Sequence, residues 1–374
     1  MAVGTAAGRW HGRAWAGSVR GQYSPELPSL LRALTISAHG GVERLEYRDD
    51  VAEPAIKDPD AVRVRVEAAA LNHLDLFLLG GLPGITITPP WTVGSDGAGV
   101  VESVGPAVTR VRPGDAVVIN PGTSCGRCEY CEAGEEPLCP RYQIFGEHLP
   151  GFCAEYAVVP EHCVAPVPAT IPAEERAAFS LATLTAWRMV VTRAQVRPGD
   201  QVLIWGIGGG VALAALQICR RIGATTWVTS SSDEKLGRAR ALGADHALNH
   251  ATEDVPRLIR AATGKRGVDV VIDSVGEATW PRSLGALGRR GRLVTCGGTS
   301  GPVVQTDVRK LFWNQWTIMG STMGTNAEYD AIVDELRLGR LRPPVDSVWA
   351  LEEGRGAYER LASGRQFGKV VVRV

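Results

Sequence analysis

The run Gln201-Val202-Leu203-Ile204-Trp205, the cluster Gly206-Ile207-Gly208-Gly209-Gly210 and the Ala/Leu-rich stretch Val211 to Arg221 constrain this chain more than any other segment. A short apolar run, a glycine cluster and a helical period read as strand, tight turn and helix. Glycines at such a turn let backbone approach a pyrophosphate, whose charge rests on the helix N-terminus. The alternation continues through Thr225 to Thr229, Asp233 to Leu242, Val268 to Asp273 and Arg292 to Cys296. Strands and helices at this spacing imply βαβ units and a parallel, doubly wound sheet. Gly206, Gly208, Gly209, Gly210 and Val211 are therefore candidate dinucleotide contacts. The pattern departs from Gly-x-Gly-x-x-Gly because Ala212 lies beyond the third glycine, but alanine still allows close helix–sheet approach.

Upstream the pattern is different. From Arg32 to Pro168 short apolar alternations are punctuated by Gly and Pro: Val62 to Val66 with period two, Gly99 to Gly105, and Asp115 to Ile119. Short strands at this spacing suggest a β-barrel-like module, opened by an edge strand at Ala33 to Ile36. Downstream of Val303 a helix (Tyr329 to Leu338) and a terminal strand (Lys369 to Val374) are expected, the strand free to return to the first module. Met1 to Leu31 show neither period and read as a flexible extension. With 374 residues, two or three domains are expected. A formal net charge of +0 excludes a strongly basic nucleic-acid binder. No apolar run reaches membrane-spanning length, and no apolar region of a signal peptide follows Arg9, Arg13 and Arg20, so no membrane partner and a cytoplasmic location are expected.

The end of the second strand bears on coenzyme choice. A carboxylate about twenty residues beyond the glycines would hold the ribose hydroxyls of NAD. Here the segment reads Val228-Thr229-Ser230-Ser231-Ser232, with Lys235 one helical turn later. Hydroxyls and a cation at Ser230, Ser231 and Lys235 suit a 2′-phosphate and point to NADP(H). Asp233 and Glu234 read as first-turn helix residues favoured by the helix dipole. The alternative is that the serines cap that helix, which does not exclude phosphate binding.

Four of the eight cysteines cluster as Cys125-x-x-Cys128-x-x-Cys131, followed after seven residues by Cys139. Four thiolates at this spacing can close a tetrahedral Zn²⁺ site with no open position, hence one structural zinc. Disulfides and an iron–sulfur cluster are the rival readings. Cys153, Cys163, Cys219 and Cys296 read as small buried residues.

These features, with Asn72-His73-Leu74-Asp75, Gly94 to Val101, Leu184-Thr185-Ala186-Trp187 and Leu242-Gly243-Ala244-Asp245, resemble the medium-chain dehydrogenase/reductase superfamily over Arg32 to Val374. The resemblance implies an α/β fold: a GroES-like β-barrel catalytic domain (32–172, with the zinc lobe at 125–139) and a Rossmann nucleotide-binding domain (173–309). A segment (310–374) completes the second and returns to the first. Zinc alcohol dehydrogenases of this superfamily hold catalytic zinc by a Cys, a His-Glu pair after a Gly, and a second Cys. The corresponding positions here are Asn72, Ser95-Asp96 after Gly94, and Leu181. Only Asp96 is a good ligand, so catalytic zinc is not expected.

The sequence is similar in this respect to the quinone oxidoreductase and enone reductase branch, in which NADPH is the usual hydride donor, but it keeps the cysteine lobe that many of them lack. The implied function is an NADPH-dependent oxidoreductase that passes a hydride to a small activated acceptor, a quinone or an α,β-unsaturated carbonyl. An alcohol dehydrogenase and a non-catalytic nucleotide-binding protein are the alternatives. Asn72 and Ser95 are expected to offer hydrogen bonds to developing oxyanion charge, and Asp96 to relay a proton or accept a hydrogen bond. His73 is a possible phosphate contact, Asp75 reads as structural, and His148 is an outside candidate for acid–base work. Around the nicotinamide the resemblance suggests Thr185, Cys296, Ser321 and Met323. The apolar run Leu311 to Gly320, with Trp313 and Trp316, suggests a homodimer or homotetramer.

Overall fold

The computed structural model describes residues 29–374, so the expectation for Met1 to Leu31 lies almost wholly outside the described residues. In the first half, β1 (Leu30–Ile36) lies between β2 (Leu45–Ala52) and β4 (Trp91–Thr92). The edge-strand expectation is thus corrected: β1 is central, because the later pair Trp91–Thr92 covers its second side.

The main sheet of this half is organised by β3 (Ala61–Ala70), whose alternating Val62, Val64 and Val66 are buried. One side of β3 pairs with β5 (Asp96–Val104), which continues to β6 (Ala116–Ile119) and β10 (Val164–Pro166). The other side pairs first with β9 (Tyr156–Pro160), then with β18 (Lys369–Arg373), the C-terminal strand, which carries β17 (Val345–Ala350). Helix α1 (His73–Gly80) follows β3 directly. The cysteine segment, with the short helix α2 (Glu129–Glu132), loops out between β7 (Gly122–Thr123) and β8 (Gln143–Ile144).

The second half begins with α3 (Ala173–Ala177) and α4 (Ser180–Trp187) and builds a six-stranded parallel sheet. Its strands are β11 (Gln201–Ile204), β12 (Thr225–Ser230), β13 (His246–Asn249), β14 (Val268–Asp273), β15 (Leu287–Thr295) and β16 (Thr317–Gly320), in the order β13-β12-β11-β14-β15-β16. This order reverses between β11 and β14, the switch point at which open α/β sheets bind ligands. Period two sends alternate residues to two cores. Val202, Ile204, Val270 and Ile272 meet α4, α5 (Gly210–Ile222), α6 (Asp233–Ala241) and α10 (Asn326–Arg337). Leu203, Trp205, Trp227 and Val271 meet α7 (Val255–Ala262) and α8 (Trp280–Ala286). Two further helices, α9 (Val308–Asn314) before β16 and α11 (Gly354–Ala362) before β18, complete the chain. The C-terminal region is therefore richer than expected, holding β16, β17, α9 and α11 besides the helix and strand read from the sequence. Among the described residues no helix is long and apolar enough to cross a membrane.

Candidate active site

A cleft of about 440 Å³ opens at the switch point between the two halves. Its floor is the glycine loop. Gly208 has φ +120°, which a side chain would strain, and a Cβ there would lie 3.1 Å from Lys235 Cδ and 3.3 Å from the Gln366 carbonyl. The Gly208 carbonyl accepts the Gly368 amide at 2.9 Å, so the loop is stitched to the segment that enters β18. Gly209 is the N-cap of α5, and the first amides of that helix face the cleft without any side-chain cap. This bare helix start fits a pyrophosphate.

Gly206, Gly209, Gly210 and Val211 line the cleft together with Ser230, Ser231, Lys235, Thr185, Cys296 and Met323. Two expected contacts do not line it. Gly208 lies beneath the Gln366–Gly368 strap, and the Ser321 amide is committed to the Thr295 carbonyl at 2.8 Å.

At the far end, Ser230 closes β12 and its hydroxyl accepts the Ser232 amide at 3.1 Å. Capping of α6 falls to Ser232, whose hydroxyl accepts the Lys235 amide at 3.4 Å. The capping alternative thus applies to one serine and leaves Ser231 exposed at the cleft. Lys235 Nζ donates to the Gly364 carbonyl at 2.6 Å; desolvation, aided by the Arg360 charge, lowers its pKa. Asp233 is turned aside, accepting from Asn249 Nδ2 at 2.8 Å. His250 also lines this end, with a buried Nδ1 that has no partner among the described residues. Sequence reasoning missed it, since a lone histidine after a short strand carries no motif. An unpartnered ring nitrogen, a free hydroxyl and a half-buried ammonium form a donor set that fits a phosphate.

The opposite end is fixed by strand register. Because β3 runs antiparallel to β5 and β18, its C-terminal end adjoins the start of both neighbours. Asn72, just past β3, therefore meets Asp96 at the head of β5 and Lys369 at the head of β18. Lys369 Nζ donates to Asp96 Oδ2 at 2.9 Å and to Asn72 Oδ1. Asn72 Nδ2 donates to Asp96 Oδ2 and to Ser95 Oγ, each at 3.0 Å. Asp96 Oδ1 accepts the Leu181 amide at 2.8 Å. Ser95 Oγ donates to Asp75 Oδ2 at 3.2 Å, and that oxygen also accepts the Asn72 amide at 2.6 Å. Burial pushes the Asp75 carboxyl up to about 7, against the opposing pull of the Asn72 amide and the Lys369 charge.

Asn72, Ser95 and Asp96 are thus brought together, but their expected roles change. The amide N–H groups of Asn72 point inward, and Ser95 and Asp96 are fully buried behind it without lining the cleft. Lys369, which the sequence marked only as the start of the terminal strand, is the cation that reaches the cleft at this end. His73 sits at the cleft wall, its pKa lowered by burial and by Lys369. His148 does not line the cleft; its Nδ1 accepts the Ile144 amide at 3.2 Å.

The lobe brings the sulfur atoms of Cys125, Cys128, Cys131 and Cys139 within 4.8 Å of one another. Cys128–Cys131 and Cys125–Cys131 are 3.5 and 3.9 Å apart. Sulfurs about 3.8 Å apart are what a tetrahedral ion with Zn–S of about 2.3 Å requires. A buried Arg188 ties the lobe to the second half, pairing with lobe residue Glu135 and with Glu328 of α10 at 3.0 Å.

Comparison with known proteins agrees with this geometry. Residues 58–169 match the alcohol dehydrogenase GroES-like domain, and residues 210–337 match the zinc-binding dehydrogenase family. A quinone oxidoreductase of Pseudomonas aeruginosa is 33% identical over 92% of this chain and 99% of its own. A zinc-type alcohol dehydrogenase-like protein of Schizosaccharomyces pombe is 33% identical over 86% of this chain and 93% of its own. Among solved structures, an NAD-dependent alcohol dehydrogenase is 44% identical, with TM-score 0.87 over 92% of this chain and 99% of that one. A 2-octenoyl-CoA carboxylase reductase, solved with NADP and 2-octenoyl-CoA, is 28% identical, with TM-score 0.85 over 93% of this chain and 88% of that one. With its GroES-like half, its Rossmann half and these relatives, the chain belongs to the medium-chain dehydrogenase/reductase superfamily, among the zinc-type alcohol dehydrogenase-like oxidoreductases.

Proposed function

We propose that this enzyme is an NADPH-dependent reductase of small activated acceptors, quinones or α,β-unsaturated carbonyls, working without a catalytic zinc. The observation that carries this reading is the ion pair Lys369–Asp96 at the point where zinc-dependent relatives gather their ligands. Asp96, the one good ligand there, is spent on an ammonium, a cation that repels a second one. Without a Lewis acid a simple alcohol is hard to deprotonate, whereas an electrophilic acceptor needs orientation and a donor for its oxygen. Bound NADPH supplies the hydride. The glycine loop and α5 hold its pyrophosphate, Ser230, Ser231 and Lys235 its 2′-phosphate, and Thr185, Cys296 and Met323 flank the nicotinamide end. One structural zinc in the cysteine lobe keeps that lobe folded. The exposed face of α9 beside the edge strand β16 supports a homodimer or homotetramer.

A second reading, an NAD-dependent alcohol dehydrogenase, is favoured by the 44% identical solved relative of that name. Steady-state assays with a panel of quinones and enones, and with alcohols plus NAD⁺ or NADP⁺, separate the two. NADPH oxidation with one of the acceptors should exceed alcohol oxidation at least tenfold in kcat/KM. Faster NAD⁺-dependent alcohol oxidation would establish the second reading.

A further inference from the structure

One wall of the cleft is the segment Ser321 to Thr325, which joins β16 to α10 and contributes Thr322 and Met323 to the lining. Met323 is buried with φ +46°, in the left-handed region. A residue other than glycine stays there only where its surroundings hold it. Both ends of the segment are held by the continuation of α4. Past Trp187 that helix widens into a π-helical turn, Arg188–Arg193. Such turns are rare and recur at functional sites. At one end Arg193 Nε donates to the Gly320 carbonyl at 3.1 Å. At the other, Arg188 Nη1 donates to Glu328 Oε2 at 3.0 Å, and that oxygen accepts the Thr325 amide at 2.7 Å. Thr192 donates its hydroxyl to the second Glu328 oxygen. Between the ends, Gly324 lies directly on α4: a Cβ there would stand 2.4 Å from Leu184 Cδ1.

The cysteine lobe reaches the same point. Arg188 Nη2 donates to Glu135, and Glu136 Oε1 accepts from Nδ2 of Asn326, the first residue of α10, at 3.2 Å. Burying a guanidinium with its carboxylates is a weak source of stability. What it supplies is a single geometry, because the planar fork addresses two carboxylates at once.

We infer that Arg188 is a positioning residue for hydride transfer: with Glu328 it holds Met323 against the nicotinamide, and through Glu135 it makes that wall of the cleft depend on the cysteine lobe. This role rests on the reading above that places Met323 beside the nicotinamide. A misplacement of about 1 Å at the reacting atoms costs on the order of 100-fold in rate even when its cause lies far from them, so a buried pair outside the cleft is felt in kcat.

The test reads the nicotinamide ring itself, whose fluorescence lifetime lengthens when the ring is held still. Bound NADPH is compared in wild type and variants, with NADH in parallel so that coenzyme preference is not presumed. Arg188→Met/Glu328→Gln removes the buried charges together and keeps an acceptor for the Thr325 amide. Glu135→Gln is milder, since that side chain is 42% exposed, and Arg188→Lys is the conservative change. In the double variant the lifetime gain over free coenzyme should fall about twofold or more and kcat about tenfold or more, while coenzyme Kd and acceptor KM change less than about threefold. Arg188→Lys should recover part of both losses. Glu135→Gln should show part of both with its zinc content unchanged. Amide exchange over residues 321–325 should quicken in the double variant and in Glu135→Gln. A wild-type lifetime and kcat in the folded double variant would overturn the inference. So would a lower Tm with the lifetime unchanged, the mark of a purely structural pair. If the double variant does not fold, the lifetime in Glu135→Gln decides in the same way. If wild type oxidises alcohols and reduces no quinone or enone, kcat is read on alcohols; a lost lifetime gain then upholds the role of Arg188 while the reductase reading fails.

Discussion

Asp75 shows how one residue is shaped by its neighbours. Its carboxyl is fully buried and titrates near 7, well above its ordinary value of 3.8. The folded state therefore holds a proton that the unfolded chain releases, and stability present below about pH 4 is lost as pH rises through 7. A difference of this size corresponds to roughly 4 kcal/mol at most. Asp75→Asn keeps an acceptor for the Asn72 amide and cannot ionise. Thermal unfolding between pH 4 and 8 should show the variant gaining on wild type as pH rises; a constant or shrinking gap would contradict this. At the other end of the cleft, Ser230→Asp should repel the 2′-phosphate and accept the ribose hydroxyls. The kcat/KM ratio of NADPH to NADH should fall about tenfold or more, the worth of one charge-assisted hydrogen bond; an unchanged ratio would show that Ser230 does not face the phosphate. Asn72, Ser230 and the glycines were legible because each sits at a fixed offset in a motif. Lys369 was not: Asp96 is 273 residues away, and the lysine reads as the polar start of a strand. The signal available was a lysine opening Val370-Val371-Val372, a strand buried on both faces.

At the level of elements, the proposed zinc makes the cysteine lobe the part whose fold would depend on chemistry beyond packing. It is nearly devoid of regular structure: one four-residue helix and one short 3₁₀ turn carry the segment that holds the four cysteines. Cys139→Ser should lower zinc from about one to well below one per chain by elemental analysis, and lower Tm by several degrees. Because Arg188 joins Glu135 to Glu328, the same variant should loosen α10 against α4, seen as faster amide exchange there. Full zinc content in Cys139→Ser would remove that cysteine from the ligand set. Strands with strict alternation or a continuous Val/Ile run, such as β3 and β14, could be read directly. β13 and β17 could not, since their residues are half-buried and polar residues such as His246, Asp346 and Ser347 interrupt the period. Helix α11 was hidden by its Gly354-Arg355-Gly356 start, which has poor intrinsic propensity; packing of Ala357, Tyr358 and Leu361 against the first half's core overrides it.

For the whole molecule, the chain's order matters more than any single element. The C-terminal strand leaves the nucleotide-binding half, passes the glycine loop at Gly368 and pairs with β3, so the two walls of the cleft are joined by the segment that carries Lys369. Sequence alone showed two kinds of strand pattern and a possible return, but not which side chains the return would deliver to the cleft. Helix α9 presents Val308, Phe312 and Trp313 to the surface, just before β16, the edge strand of its sheet among the described residues. Covering such a patch in an oligomer removes an aggregation hazard. Sedimentation should find wild type as a dimer or tetramer and Trp313→Glu shifted toward the single chain of 39.9 kDa; a monomeric wild type would remove this interface.

The central claim is hydride transfer to an activated acceptor at a site that works without a catalytic zinc. It is tested most directly by measuring NADPH-dependent enone or quinone reduction against zinc content in one preparation. Protein holding about one zinc per chain should already be fully active, with no gain on adding Zn²⁺. Activity that rises in step with a second bound zinc, or that is found only for alcohols, would contradict it.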